Sequence, residues 1–370
     1  MKTSFPSVCV VTTLLAVLLG LTGIIAISVA CQNSPEPFAL AGKQLVRLGI
    51  GVALMWITAH IPFEKLKKAA PYLAAVSLLL LCALLKYGVK INGMRGWFKY
   101  CGISFQPSEP GKLFFLLGLV VIFTHKKICL SSDVKKIAVS GIYSSVWLAV
   151  LILQPDLGTS AVYLATFIAV LCIGGVKWRY IFSLLSAAVC AATVFIVTHP
   201  YAMRRINGFL DPTTDVLGRN WHLNQILRAV ARGSWTGVKS ADAHWSKSYL
   251  PFSYNDSVFA LVCETIGALG AILIPAAFIL MFYLLSAEAH KKNLSPDRRL
   301  FVNGTVFMLV FQSFLHISVN TGLAPVTGIT MLFVSYGGSS MISGCILLGA
   351  VYSALHYPEY DGTSSQTNVI

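Results

Sequence analysis

The chain has 370 residues, of which 56% are hydrophobic and 11% charged. A soluble domain carries about 25% charged residues, so this composition excludes one and indicates a polytopic membrane protein. The formal charge is +14, from 28 Lys and Arg against 14 Asp and Glu. No basic run is interleaved with aromatics to make a nucleic-acid groove, and the charge fits the Lys/Arg enrichment of cytoplasmic loops instead.

Apolar runs predict ten transmembrane helices, at roughly 8–30, 45–61, 71–87, 112–124, 137–153, 158–175, 180–198, 257–286, 301–321 and 331–356. The first is read as a span and not a cleaved signal. Its run from Val8 to Ala30 exceeds the 7–15 residues of a signal core and matches the ~20 needed to cross a ~30 Å hydrocarbon layer. Ser28-Val29-Ala30-Cys31 nonetheless looks like a lipoprotein cleavage box. The nine cysteines show no metal spacing, and most lie in apolar runs. A disulfide between Cys31 and Cys101, both on the outer side, is left open. Placing the N-terminus inside puts Lys65, Lys67, Lys68, Lys126, Lys127, Lys135, Lys136, Lys177, Arg179, Lys291, Lys292, Arg298 and Arg299 in short inner loops. Short loops carry most weight in the positive-inside rule, so both termini are expected to be cytoplasmic. The parts are then 1–198 (spans one to seven), 199–256 (an outer loop), 257–356 (spans eight to ten) and 357–370 (a cytoplasmic tail).

The outer loop 86–111 alternates basic, aromatic and Gly residues. It holds Asn92, Arg95, Trp97, Gln106, Ser108 and Glu109, with Lys112 opening the next span. That pattern suits an anionic head group or, equally, an interfacial aromatic belt. The loop 199–256 is too long for a plain connector. Within it, Leu223, Ile226, Leu227 and Val230 recur at helical spacing, predicting an amphipathic helix on the outer surface, ended by Gly233 and Gly237. Asp256 sits where the chain re-enters apolar sequence, in helix N-cap position. Glu264 lies eight residues deeper, about 12 Å further along a helix and within about 80° of the same face. Ionisable groups at membrane depth are costly and mark functional sites. Gln312, His316 and Asn320 form a polar stripe suited to interhelical hydrogen bonds. Ser335-Tyr336-Gly337-Gly338-Ser339-Ser340 follows Pro325-Val326-Thr327-Gly328. Such Gly and Ser pairs permit close packing or a broken helix.

Taken in order, these landmarks resemble the RodA/FtsW (SEDS) family of bacterial cell-wall synthesis. They are Asn92-Gly93 with Arg95 and Trp97; Gln106-Pro107-Ser108-Glu109 with Lys112; Gln154-Pro155-Asp156-Leu157-Gly158-Thr159; Pro200-Tyr201 with Arg205-Ile206 and Phe209-Leu210-Asp211-Pro212; Gly237 with Lys239; Leu250-Pro251 with Asp256, Phe259-Ala260 and Glu264; and the two motifs just quoted. The Pro-Val-Thr-Gly-Ile form leans slightly toward the RodA branch.

The resemblance implies an all-α membrane enzyme of the inner membrane that polymerises lipid II and works with a class B penicillin-binding protein. It places the family's essential acid on Asp256, its motif Glu on Glu109, the following Lys on Lys112 and its loop Arg on Arg205. With Asp256 as general base, Arg95, Lys112, Arg205 and Lys239 are candidates to stabilise a leaving pyrophosphate. Glu109, Glu264 and Ser339 complete the expected substrate-binding set. No motif requires a cofactor, and a divalent cation at Asp256 stays open. The chain departs from the family at Gly96, at Pro110-Gly111, at Ser257 and at Thr265, where a second acid is usual. Two other classes are a flippase for the lipid-linked precursor and a non-catalytic scaffold that activates a penicillin-binding protein.

Overall fold

The structure is a computed structural model. It describes residues 5–32, 35–91, 94–100, 102–125, 128, 132–211, 220–238, 245–250, 253–292 and 294–356. The 357–370 tail, Cys101 and Lys239 lie outside the described residues, so neither the Cys31–Cys101 pairing nor the expected role of Lys239 can be placed.

Every expected span has a helical counterpart. They are α1 (Ser7–Ala30), α2 (Ala39–Ala59), α3 (Phe63–Tyr87), α4 (Ser108–Thr124), α5 (Asp133–Leu153), α6 (Leu157–Ile173) and α7 (Trp178–Thr198). After the segment with α8 (Pro200–Leu210), α9 (Trp221–Gly233) and α10 (Trp245–Tyr249) come α11 (Val258–Ala271), α12 (Leu273–Lys291), α13 (Pro296–Asn320) and α14 (Gly338–His356). Among the described residues, eight helices are long and apolar enough to cross a membrane, whereas α6 and α11 are shorter apolar helices. The chain is a multi-pass membrane protein.

Length follows from continuous apolar sequence, and two helices start at a side-chain cap. Ser132 accepts a hydrogen bond from Lys135 N–H at α5, and Asp156 accepts one from Thr159 N–H at α6, each satisfying a first-turn donor. Loop 86–111 was not expected to hold strands. It forms an antiparallel sheet of β1 (Val89–Ile91), β2 (Met94–Tyr100) and β3 (Ile103–Phe105), in that order.

The core is built on α4, α13 and α14, which are mostly buried, with α2 packed along α14. Backbones approach closely there, as small residues permit; a Cβ at Gly349 would stand 2.2 Å from the Met55 carbonyl oxygen. At the end of the bundle where α3 and α13 begin, Lys67 bridges Asp297 and Glu64, and Arg298 reaches Glu64 at 3.8 Å. By contrast α7 buries only Ile181 and stands outside the bundle along nearly its whole length.

The expected span 257–286 is the largest departure. It is broken into α11 and α12, with Gly267 at φ +75° and ψ 176° inside the first. The chain after α9 fills the break. Val238 N–H donates to Glu264 O at 2.8 Å, and Ala268 N–H donates to Ser234 O at 2.9 Å. Backbone groups exposed by the break are thereby satisfied inside protein, the condition for irregular backbone at membrane depth. The amphipathic helix α9 also packs its buried face onto α11, through Ile226, Ala229, Leu250 and Ala260, instead of resting on the outer surface alone. Gly267→Ala is expected to lower the thermal unfolding midpoint of the detergent-solubilised chain. The backbone is left-handed there, and the new Cβ would lie 2.4 Å from Gly237 N and Trp235 O, a strain of about 1–3 kcal/mol. Gly42→Ala, where a Cβ meets nothing within 4 Å, is the control expected to be unchanged.

Candidate active site

Asp256 lies in a turn, Ser253–Ser257, that leads into α11. Its carboxylate was expected to cap that helix and does not. The cap is supplied across the bundle by Asn320, the last residue of α13. The buried Asn320 amide oxygen accepts from Ala260 N–H at 3.2 Å. Its NH₂ donates to the Asp256 backbone oxygen at 3.1 Å and to His316 O at 3.0 Å. The Asp256 side chain is therefore held in place by its backbone while its carboxylate stays available. That side chain is 29% exposed.

Three groups face the carboxylate. His222 Nε2 stands 4.0 Å from Asp256 Oδ2 and 3.4 Å from the Ser257 hydroxyl. Arg205, from α8, is close enough to act on Asp256 electrostatically. Burial pushes the Asp256 carboxyl above its ordinary value of 3.8, while His222, the Ser257 hydroxyl and Arg205 hold it down. A cavity of about 230 Å³ adjoins this group, lined by Arg204, Arg205, Asn220, His222 and Val326 among others. It offers two guanidinium groups and an imidazole beside an acid, the composition expected where a proton is removed near a bound anion. Among the described residues no set of three His, Cys, Asp or Glu side chains is placed to hold a metal.

The other expected site residues fall elsewhere. Glu109 and Lys112 form a buried pair at 2.7 Å, and Lys112 also donates to Gln312 Oε1 at 2.7 Å. Gln312 in turn donates to Thr330 O at 3.0 Å, and His316 Nδ1 lies 2.8 Å from Ile329 O. The polar stripe on α13 thus hydrogen-bonds outward to neighbouring segments, and it links two polar centres about 12 Å apart along the helix, at Gln312 and Asn320. Ser339 Oγ accepts from Gln106 N–H at 3.1 Å, tying the approach to α4 onto α14. Arg95 is exposed and donates to Leu85 O at 2.7 Å. Glu264, fully buried, accepts from the backbone N–H groups of Trp245 and Ser246 and from the Ser246 hydroxyl, with Arg232 at 3.6 Å. Its carboxylate anchors α10 to α11 and does not line the cavity.

Two side chains at this end escaped the sequence reading. His222 was hidden on the polar side of α9, where only apolar spacing carried a signal. Arg47, on α2, lies 4.5 Å from the centre of the Tyr336 ring. Tyr336 N–H donates to the backbone oxygen of Tyr254, two residues before Asp256.

Residues 6–360 match the family model FtsW/RodA/SpoVE, described as "Cell cycle protein". The chain belongs to this family. Among curated relatives it is 30% identical over 345 residues to a "Probable peptidoglycan glycosyltransferase FtsW" of Pseudoalteromonas translucida, covering 91% of this chain and 87% of the relative. It is 32% identical over 337 residues to the FtsW so named of Aliivibrio salmonicida, covering 88% and 83%. Among solved structures, a chain from "Structural coordination of polymerization and crosslinking by a peptidoglycan synthase complex" superposes with TM-score 0.80 at 30% identity, covering 95% of this chain and 98% of that one. Thermus thermophilus RodA superposes with TM-score 0.71 at 26% identity, covering 97% and 99%. The slight RodA leaning of one motif therefore sits beside FtsW-named sequence relatives, and both branches belong to the one family.

Proposed function

We propose that this family member is a peptidoglycan glycosyltransferase that polymerises lipid II at the outer face of the bacterial inner membrane, with both termini cytoplasmic. The observation that carries the reading is the Asp256 carboxylate: uncapped, fixed through Asn320, and set beside a cavity bearing Arg204, Arg205 and His222. A sugar hydroxyl of one lipid-linked disaccharide attacks the anomeric carbon of another. Asp256 takes the hydroxyl proton as the new C–O bond forms, and the bond to undecaprenyl pyrophosphate breaks. A positioned base of this kind is worth about 10²- to 10⁴-fold in rate. Arg205 and Arg204 offset charge on the departing pyrophosphate. Arg95 is proposed to meet the head group before reaction, and the same role is proposed for Lys239, which lies outside the described residues. The buried Glu109–Lys112 pair, Glu264 and Ser339 support the site by holding α4, α11 and α14. The names of the relatives favour the same activity, and the synthase-complex neighbour favours a class B penicillin-binding protein as partner.

The test supplies labelled lipid II to the purified chain together with its partner. Glycan polymer that persists when the partner's own active site is mutated supports the reading. Polymer that depends on the partner's active site alone would leave this chain a scaffold. The pH profile gives a second check. Asp256 works deprotonated and its pKa is raised, so activity should fall, as pH drops, at a pH above the ordinary carboxylate value of 3.8. His222 favours the charged carboxylate. His222→Gln removes that help, the carboxyl pKa rises, and the acid limb should move to higher pH. Initial rates across pH measure this, and an unmoved limb would uncouple His222 from Asp256.

A further inference from the structure

The end of the bundle remote from Asp256 holds a second feature that the proposed reaction does not use. A groove of about 720 Å³ runs between α6, α12 and α13. Ile168, Phe282 and Phe307 contribute its apolar walls, and Arg299, His290 and Asn303 its polar end. Arg299 lies 21 residues before Asn320 on α13, about 30 Å away along the axis, so this polar end faces the opposite leaflet. Among the described residues no carboxylate lines the groove. The neighbouring charges are engaged elsewhere, Arg298 with Glu64 and Asp297 with Lys67, while among the described residues Arg299 has no acidic partner. Inside the groove the buried Ser286 hydroxyl has no hydrogen-bond partner among the described residues. A bare lipid tail would leave that hydroxyl and the guanidinium unanswered.

We propose that the groove binds an anionic phospholipid of the leaflet opposite the Asp256 cavity, with an acyl chain along the walls and its phosphate on Arg299. The Ser286 hydroxyl donates to an ester oxygen of the same lipid. Basic pockets between transmembrane helices recognise anionic head groups in this way. A zwitterionic head group fits less well, because its ammonium finds no carboxylate in the groove.

The test is native mass spectrometry of the full chain in detergent, titrated with phosphatidylglycerol and with phosphatidylcholine of equal chain length. The wild type should retain phosphatidylglycerol preferentially. Arg299→Ala should weaken that retention about fivefold, the worth of one cation at a lipid surface. Arg179→Ala, an exposed cation outside the groove, should not. Ser286→Leu keeps every charge and fills the groove, so it too should lose lipid, and it carries the test if Arg299→Ala misfolds. Equal retention of the two lipids, or wild-type retention by both groove variants, overturns the proposal. So does displacement of phosphatidylglycerol by equimolar lipid II, which would assign the groove to the precursor. None of these outcomes depends on polymerising activity.

Discussion

Asp256→Ala is expected to reduce lipid II polymerisation by about 10²- to 10⁴-fold, the contribution of a positioned general base. The loss should fall on catalysis and not on folding. The contacts that fix this turn use the Asp256 backbone oxygen and the Asn320 side chain, so removing the carboxylate leaves the cap of α11 in place. Asp256→Asn sharpens the test. It preserves shape and hydrogen bonding but cannot accept the proton, and it should be as inactive as the Ala variant. The measurement is glycan polymer formed by purified, monodisperse protein with its partner. Wild-type polymer from either variant would remove Asp256 from the mechanism, and accumulation of precursor on the inner leaflet after depletion would turn attention to transport.

Lys112→Met is expected to produce the largest loss of stability. Lys112 is 1% exposed and Glu109 3% exposed, and Glu109 Oε2 already has no hydrogen-bond partner among the described residues. Removing the ammonium leaves a buried carboxylate without its counter-charge and Gln312 Oε1 without its donor. Breaking such a pair costs about 3–5 kcal/mol, read as a fall in thermal unfolding midpoint or in folded yield from membranes. Lys112→Met combined with Glu109→Gln should recover much of that loss, because no uncompensated charge remains. A single variant as stable as the wild type would show that the pair contributes little. Both outcomes bear on the reaction only indirectly, since neither Glu109 nor Lys112 lines the cavity.

Much of the architecture was legible in the chain itself. Long apolar runs must become helices in a bilayer, where every backbone group needs an internal partner, and each run has a helical counterpart, although some edges are displaced by more than a turn, as where α3 begins at Phe63 and α14 at Gly338. Asp256 stood out because an acid at the end of a long polar loop and the start of an apolar run is costly unless used. The amphipathic spacing of α9 was equally visible, as was the polar stripe on α13. The three strands in loop 86–111 were not, since they are short, lack a clean two-residue alternation and, in β2, include Gly96. Nor was the break at Gly267, because nothing in a local apolar run distinguishes a continuous helix from one interrupted by another segment.

Sequence alone therefore determined that this chain spans a membrane many times, and it singled out Asp256 as the acid where a long polar segment meets an apolar run. These properties depend on hydropathy and helical period, which are local. Tertiary structure alone decided the partners: Lys112 with Gln312, 200 residues away; Glu264 with the Trp245–Ser246 backbone; Asp256 with His222 and Asn320. A buried polar group must find a complement, but hydropathy cannot say which one, because that depends on how the helices cross and where the chain turns back between them.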